Sequence, residues 1–202
     1  MRRHRLEVHV PRLRDVLTRT YDMAIFESFE REFRRPARGG EGQPRISPWG
    51  LDLRIPLSRA ELLTPIASEL ADGLAAIGVT QVVGAGFGAY ALVGAVLASS
   101  TTMTGALLRE KTKGYGYGAV VEGALSTERP VALLDDLLST GGTALAVRRL
   151  LHEHGFTVTE VHTVFALGFR PGVAALGAAG IGHRCLATLH PDPGFQRPRE
   201  LT

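Results

Sequence analysis

The run Pro130-Val131-Ala132-Leu133-Leu134-Asp135-Asp136-Leu137-Leu138-Ser139-Thr140-Gly141-Gly142-Thr143 is the most informative in the chain. It reads as an apolar strand ending in two carboxylates, followed by a hydroxyl- and glycine-rich turn that opens a helix. Backbone N–H groups at that helix start, with the hydroxyls of Ser139, Thr140 and Thr143, can surround a phosphate, favoured by the helix dipole. Asp135 and Asp136, at the strand's carboxyl end, can accept hydrogen bonds from ribose hydroxyls. Such a device suits a phosphorylated sugar. No Gly-Lys-Ser/Thr follows the glycines, so the run is not a Walker loop. A plain strand–turn–helix could carry the same glycines. Two adjacent acids at the end of a buried strand are, however, costly without a task.

Outward from this run the chain alternates. Upstream, Val79–Gly84 reads as a buried strand, Ala89–Ala98 as a helix and Thr104–Leu108 as a strand. Val131–Asp135 is the next strand, followed by a helix over Gly142–His154 closed by Gly155, and a strand over Val158–Leu167. A short Ala-rich helix ends at Gly180, and Ile181–Leu189 is a last strand. This alternation predicts an α/β fold with a mostly parallel central sheet flanked by helices. Before it, Leu13, Val16, Leu17, Tyr21, Ile25, Phe29 and Phe33 recur at helical spacing, predicting a helix from about Pro11 to Arg35. Residues 36–48, rich in Pro and Gly, form a connection, and Ser58-Arg59-Ala60-Glu61 has the capping-box form that opens a helix to about Ile77. One domain is expected: 1–57 an N-terminal helix and hood, 58–190 the core, 191–202 a Pro-rich tail.

The chain has 202 residues, 45% hydrophobic and 21% charged, which excludes disordered and fibrous classes. A single cysteine, Cys185, excludes a disulfide framework and a Cys-rich zinc site and fits a reducing cytosol. Gly73 to Leu108 contains no charged residue, but it is cut by Gly78, Gly84, Gly86, Gly88 and Gly94. It reads as buried strand, loop and helix rather than a membrane span of roughly 20 apolar residues. Met1-Arg2-Arg3-His4-Arg5 is not followed by the apolar run of a signal peptide, so a cytoplasmic location is expected. Net charge is only +3, with the excess in residues 1–54. So mildly basic a segment suits a small anionic ligand as well as nucleic acid, and a solvated face better than either, so a nucleic-acid partner is not the expectation. His152 and His154 point apart on a helix, and Cys185 lies in an apolar strand, so neither is read as a site.

The strand–acid–glycine run resembles the phosphoribosyl-pyrophosphate (PRPP) loop of type I phosphoribosyltransferases: apolar strand, two acids, two apolar residues, Thr-Thr-Gly-Gly-Ser/Thr. Upstream, Leu108-Arg109-Glu110-Lys111-Thr112-Lys113-Gly114-Tyr115-Gly116-Tyr117-Gly118 is similar to the mobile catalytic loop of the orotate branch. Ser47-Pro48-Trp49-Gly50-Leu51-Asp52-Leu53-Arg54 resembles that branch's Ser-Pro-Tyr…Asp-Leu-Arg segment. Val82-Val83-Gly84-Ala85-Gly86-Phe87-Gly88-Ala89 sits where the family has its pyrophosphate loop. The resemblance is colinear from about residue 45 to 189.

The resemblance implies transfer of the phosphoribosyl group of PRPP to a nitrogenous base, orotate or another planar heterocycle. It implies Mg²⁺ and a homodimer with shared active sites. Growing negative charge on departing pyrophosphate is best met by preorganised cations. Arg109, Lys111 and Lys113 are the candidate catalytic residues of the lid, with Asp136. Asp135, Asp136, Ser139, Thr140, Gly141, Gly142, Thr143, Ala85, Gly86, Phe87 and Gly88 are expected to bind PRPP, and Asp135 and Asp136 the metal. Trp49, Arg45 and Arg170 are the candidates for the base. Of 23 cationic residues only Lys111 and Lys113 are lysine. A flexible point charge there suits a lid closing on moving phosphate oxygens. Departures fall mostly on the base side. Glu110 follows Arg109, Tyr115 replaces a loop histidine, and Leu167-Gly168-Phe169-Arg170 stands where an Asp-Arg pair is usual. The alternative reading is a non-catalytic module that senses PRPP or nucleotide on the same fold.

Overall fold

The computed structural model describes residues 3–27, 34–35, 45–46, 49–108 and 121–194. In chain order, β1 (His4–Val8) leads through a 3-10 turn (Pro11–Leu13) to α1 (Arg14–Ala24), and then come β2 (Ile25–Glu27), β3 (Arg34–Arg35), β4 (Arg45–Ile46) and β5 (Trp49–Leu51). Next are α2 (Arg54–Leu57), α3 (Ala60–Ala75), β6 (Gln81–Ala85), α4 (Phe87–Ala98), β7 (Thr104–Leu108) and β8 (Val121–Gly123). Last are β9 (Val131–Leu138), α5 (Gly142–Glu153), β10 (Val158–Leu167), α6 (Gly172–Ala178) and β11 (Gly182–Pro191).

The main sheet has the order β1-β11-β10-β9-β6-β7-β8, parallel from β11 to β7 and antiparallel at both edges. Successive residues of β9 feed opposite apolar layers. Ala132 and Leu134 join the layer under α1, α3 and α4, and Val131 and Leu133 join the layer under α5 and α6. A strand buried on both faces needs this near-continuous apolar run. The chain leaves β6 toward β7 on one side and β9 toward β10 on the other, so the order reverses between β6 and β9. The crevice outside the carboxyl ends of strands at such a reversal is where open α/β sheets bind ligands. Here it is bounded by Ala85–Gly88 and Asp135–Thr143.

Three expectations are corrected. The helix expected to reach Arg35 stops at Ala24, because Ile25 turns extended (φ −76°, ψ 136°) and β2 pairs with β5, Ile25 opposite Leu51. A β-branched residue at helical spacing also suits a strand, and pairing decided. Helix α3 forms, but without the capping box: Ser58 is the C-cap of α2 and its Oγ donates to the Ile55 carbonyl at 2.8 Å, leaving Arg59 as N-cap. Strand β9 runs past both acids to Leu138, because Leu137 and Leu138 still pair with Phe165 and Ala166 of β10. In addition β1, from the segment read as hood, joins the main sheet beside β11, and β8 closes the other edge. Among the described residues no helix is long and apolar enough to cross a membrane.

Candidate active site

Between β9 and α5, Gly141 adopts φ +79°, a left-handed conformation that suits glycine, and turns Ser139 and Thr140 into the helix. No side chain caps α5. Its first N–H groups therefore lack a side-chain partner and face the turn. A cavity of about 80 Å³ lies here, lined by Asp135, Ser139–Ala144, Val161 and Thr163 among others, a volume that suits a phosphate-sized group. The turn is braced from behind, since Gly172 N–H donates to the Ser139 carbonyl at 3.0 Å. A Cβ on Gly172 would overlap that carbonyl oxygen.

The two acids are half-buried and interact. Asp136 N–H donates to Asp135 Oδ1 at 2.9 Å. Burial, and then the neighbouring Asp136 charge, push the Asp135 carboxyl up to about 8. Burial also raises Asp136, with a further push from Asp52. Asp52 is held by Arg54, which donates from Nε at 2.8 Å and from its terminal nitrogen at 3.0 Å. The Arg54 guanidinium also feels Asp136. This forked pair joins the two charged ends of the Asp52-Leu53-Arg54 segment.

Across the crevice, β6 ends at Ala85, Gly86 takes φ +84° and α4 begins at Phe87. The Asp136 carboxylate lies directly over Gly88, where a Cβ would come within 2.6 Å of Asp136 Cγ. Phe87 turns outward, 76% exposed, beside the Tyr90 ring. The Tyr90 hydroxyl donates to the Leu108 carbonyl at 2.6 Å, tying α4 to the residue that precedes Arg109.

A ring cluster gathers just past the carboxyl end of β10, beside β1. His4 stacks on Phe169 (5.6 Å, 5° between planes) and meets Trp49 (4.5 Å) and Tyr21 (5.9 Å) edgewise. His4 Nδ1 is 3.0 Å from the Tyr21 hydroxyl. Burial and then the Arg3 charge hold the imidazole down at about 4, so it is neutral near pH 7. Arg3 lies over Trp49 and Arg170 over Phe169, each 5.8 Å from the ring centre. Arg170 Nε is buried and has no hydrogen-bond partner.

No family model matches the chain. The orotate phosphoribosyltransferase of Levilactobacillus brevis is 29% identical over 153 residues, 69% of this chain and 71% of that protein. That of Bacillus pumilus is 33% identical over 134 residues, 64% of the chain and 61% of the relative. Others of the same name are matched over about half or less of their length, 49% for Cytophaga hutchinsonii and 35% for Halalkalibacterium halodurans. Among solved structures, the orotate phosphoribosyltransferase of Mycobacterium tuberculosis superposes with a TM-score of 0.70 at 20% identity, over 87% of this chain and 95% of that one. The fold is that of the type I phosphoribosyltransferases. In sequence the chain resembles the orotate branch. The Mycobacterium tuberculosis protein has also been solved with PRPP, and that structure superposes at 0.66 with 17% identity, over 88% of this chain and 89% of that one.

On this phosphoribosyltransferase fold, Asp135, Asp136, Ser139, Thr140, Gly141, Gly142 and Thr143 gather at one end of β9. Ala85, Gly86, Phe87 and Gly88 face them through Gly88. Trp49 and Arg170 meet through Phe169, with the Trp49 and Phe169 rings 6.4 Å apart. Arg45 lies in β4, paired with Arg35 of β3 in a separate two-stranded sheet, and its side chain is outside the described residues, as are Arg109, Lys111 and Lys113. Sequence reasoning missed His4, Phe169 and Thr163. His4 and Phe169 stand more than 160 positions apart in the chain, and only the β1–β11 pairing brings them together. Among the described residues no three His, Cys, Asp or Glu side chains could jointly hold a metal. The donor set is two close carboxylates. It fits a hard divalent cation that takes its remaining ligands from substrate oxygens and water.

Proposed function

We propose that the chain transfers the phosphoribosyl group of PRPP to a nitrogenous base, orotate or another planar heterocycle, giving a nucleotide and pyrophosphate. The observation that carries the reading is the Asp135–Asp136 pair, held between an uncapped helix start on one side and Gly88 on the other. The α5 N–H groups with Ser139, Thr140 and Thr143 hold the 5-phosphate. Asp135 and Asp136 accept hydrogen bonds from the ribose hydroxyls, and their charge favours the cation-like ribose of the transition state. The backbone of Ala85–Gly88 lines the pyrophosphate side. Arg109, Lys111 and Lys113 neutralise the departing pyrophosphate and exclude water. Mg²⁺, held by Asp135 and Asp136, supplies charge neutralisation on the pyrophosphate oxygens when bound. Trp49, Arg45 and Arg170 serve the base.

The reading extends to a cytoplasmic homodimer with shared sites, supported by the resemblance of the lid to that of the orotate branch. One observation favours a sensing module instead: on the acceptor side His4, Phe169 and Trp49 lie against one another. Pyrophosphate release from PRPP and Mg²⁺, measured with a panel of pyrimidine and purine bases, separates the two. An enzyme releases it with at least one base. PRPP binding with no release for any base identifies the sensor.

A further inference from the structure

A second cavity, of about 430 Å³, lies on the α3 face of the sheet, away from the phosphate loop. Its walls are the turn after β1 (His9, Val10), α3 (Glu69, Leu70, Gly73), the middle of β10 (His162) and the start of β11 (His183 to Leu186). Val10, Leu70 and Leu186 form apolar wall, and Gly73 leaves room beside the His162 ring, its absent Cβ lying 3.9 Å from His162 Cε1. His162 is 2% exposed and its Nε2 has no hydrogen-bond partner; the nearest carboxylate, Glu160, is 3.8 Å away, beyond bonding reach. That nitrogen is sealed from solvent, so the ring meets the cavity through its edge rather than through a free acceptor. Burial and then the Arg184 charge keep this ring neutral. At the mouth stand exposed Arg184 and His9, while Glu69 is occupied by Arg12. The cavity thus offers an apolar slot, bounded by the His162 ring, and a basic rim.

We propose that this cavity is a second binding site, for a nucleoside monophosphate, with the base in the slot against His162 and the phosphate at Arg184. Choosing a nucleotide among planar anions rests on the proposed reaction, whose product it is. The site is wired to the first one. His183, in the cavity wall, has its Nε2 3.1 Å from Thr163 Oγ1, and Thr163 lines the phosphate cavity on the opposite layer of β10. Occupancy here therefore acts on the phosphate loop, as feedback by product.

The test is calorimetric titration of the full chain with UMP and, separately, AMP. Thr143→Glu places a carboxylate where the substrate phosphate would sit and silences the first site. The native chain is expected to bind two nucleotides and Thr143→Glu one. Arg184→Ala in the Thr143→Glu background should weaken the remaining site at least tenfold, and Gly73→Leu, which sets a side chain into the slot, should fill it. Arg184 is exposed, so its variant keeps the fold. Binding of neither nucleotide by Thr143→Glu overturns the proposal, as does residual binding indifferent to both cavity variants. In turnover, inhibition by the nucleotide that saturating PRPP fails to relieve is expected in the native chain and lost in Arg184→Ala. Purely competitive inhibition overturns the coupling. Failure of the native chain to bind PRPP would instead overturn the reading of the phosphate loop, and is measured separately.

Discussion

The Asp136 carboxylate rests on the α-carbon of Gly88, joining the end of β9 to the first turn of α4 with no room for a side chain between them. One contact thereby sets the spacing between the two loops that flank the crevice. Gly88→Ala is expected to push the carboxylate aside. The cost is on the order of 1–3 kcal/mol of stability, the range for overpacking a tight contact. PRPP affinity should fall at least tenfold, and an unchanged affinity by titration would show that the spacing does not matter to the donor.

Asp135 illustrates a site that opposes folding. Its carboxyl, pushed up to about 8, sits far above its ordinary range, so at pH 7 the folded chain either keeps a proton on the pair or bears the repulsion. Asp135→Asn removes that penalty. The variant should melt a few degrees higher than the native chain in the absence of ligand, about 2–4 °C per kcal/mol for a domain of this size. It should also lose PRPP binding. A variant that melts lower and still binds PRPP would deny the pair its role.

Arg170 lies over Phe169, just past the carboxyl end of β10, and is proposed to serve the base. Arg170→Ala is expected to raise KM for the base about tenfold or more, with little change in KM for PRPP. Steady-state kinetics with both substrates varied decides this. An equal effect on both constants would make Arg170 a structural residue.

Lys113 belongs to the lid in the proposed reaction. Lys113→Ala should lower kcat a hundredfold or more and leave the dissociation constant of PRPP within a few fold. A positioned charge used in the transition state has this signature. Near-normal turnover would remove the lysine from the mechanism.

The acid limb of stability should come from histidines. His4 and His162 are 3% and 2% exposed, and burial first, then neighbouring arginine charge, hold both at about 4 in the folded chain against 6.5 in an unfolded one. Arg184, His183 and Glu160 are the charged or titratable groups near His162. Between pH 6.5 and 4 the unfolded chain binds more protons, so stability is full above 6.5 and falls as pH drops through this window. Each ring contributes up to about 3 kcal/mol of that loss. His162→Gln should flatten the decline in a series of melts from pH 7 to 4. A decline of unchanged depth in that variant would assign the loss to other groups.

The turn proposed to hold phosphate was legible because its parts are local. An apolar strand, two acids and a glycine turn are contiguous, and backbone geometry alone converts them into a cavity for an anion. The α/β alternation was legible for the same reason, since strands buried on both faces and amphipathic helices carry their periods in sequence. The early end of α1 was not, because Ile25 fits both a helix stripe and a strand, and its pairing with Leu51 lies 26 positions away. The ring cluster depended on distance too. His4 reaches Phe169 only because β1 lies antiparallel to β11 at the edge of the sheet. The ends of a sheet are assembled from strands remote in sequence, so the sequence alone determined the contiguous strand, acid pair and glycine turn proposed to hold the donor. Only the tertiary structure decided that His4, Trp49 and Phe169 meet, and that a cavity lies beside His162 on the α3 face of β10.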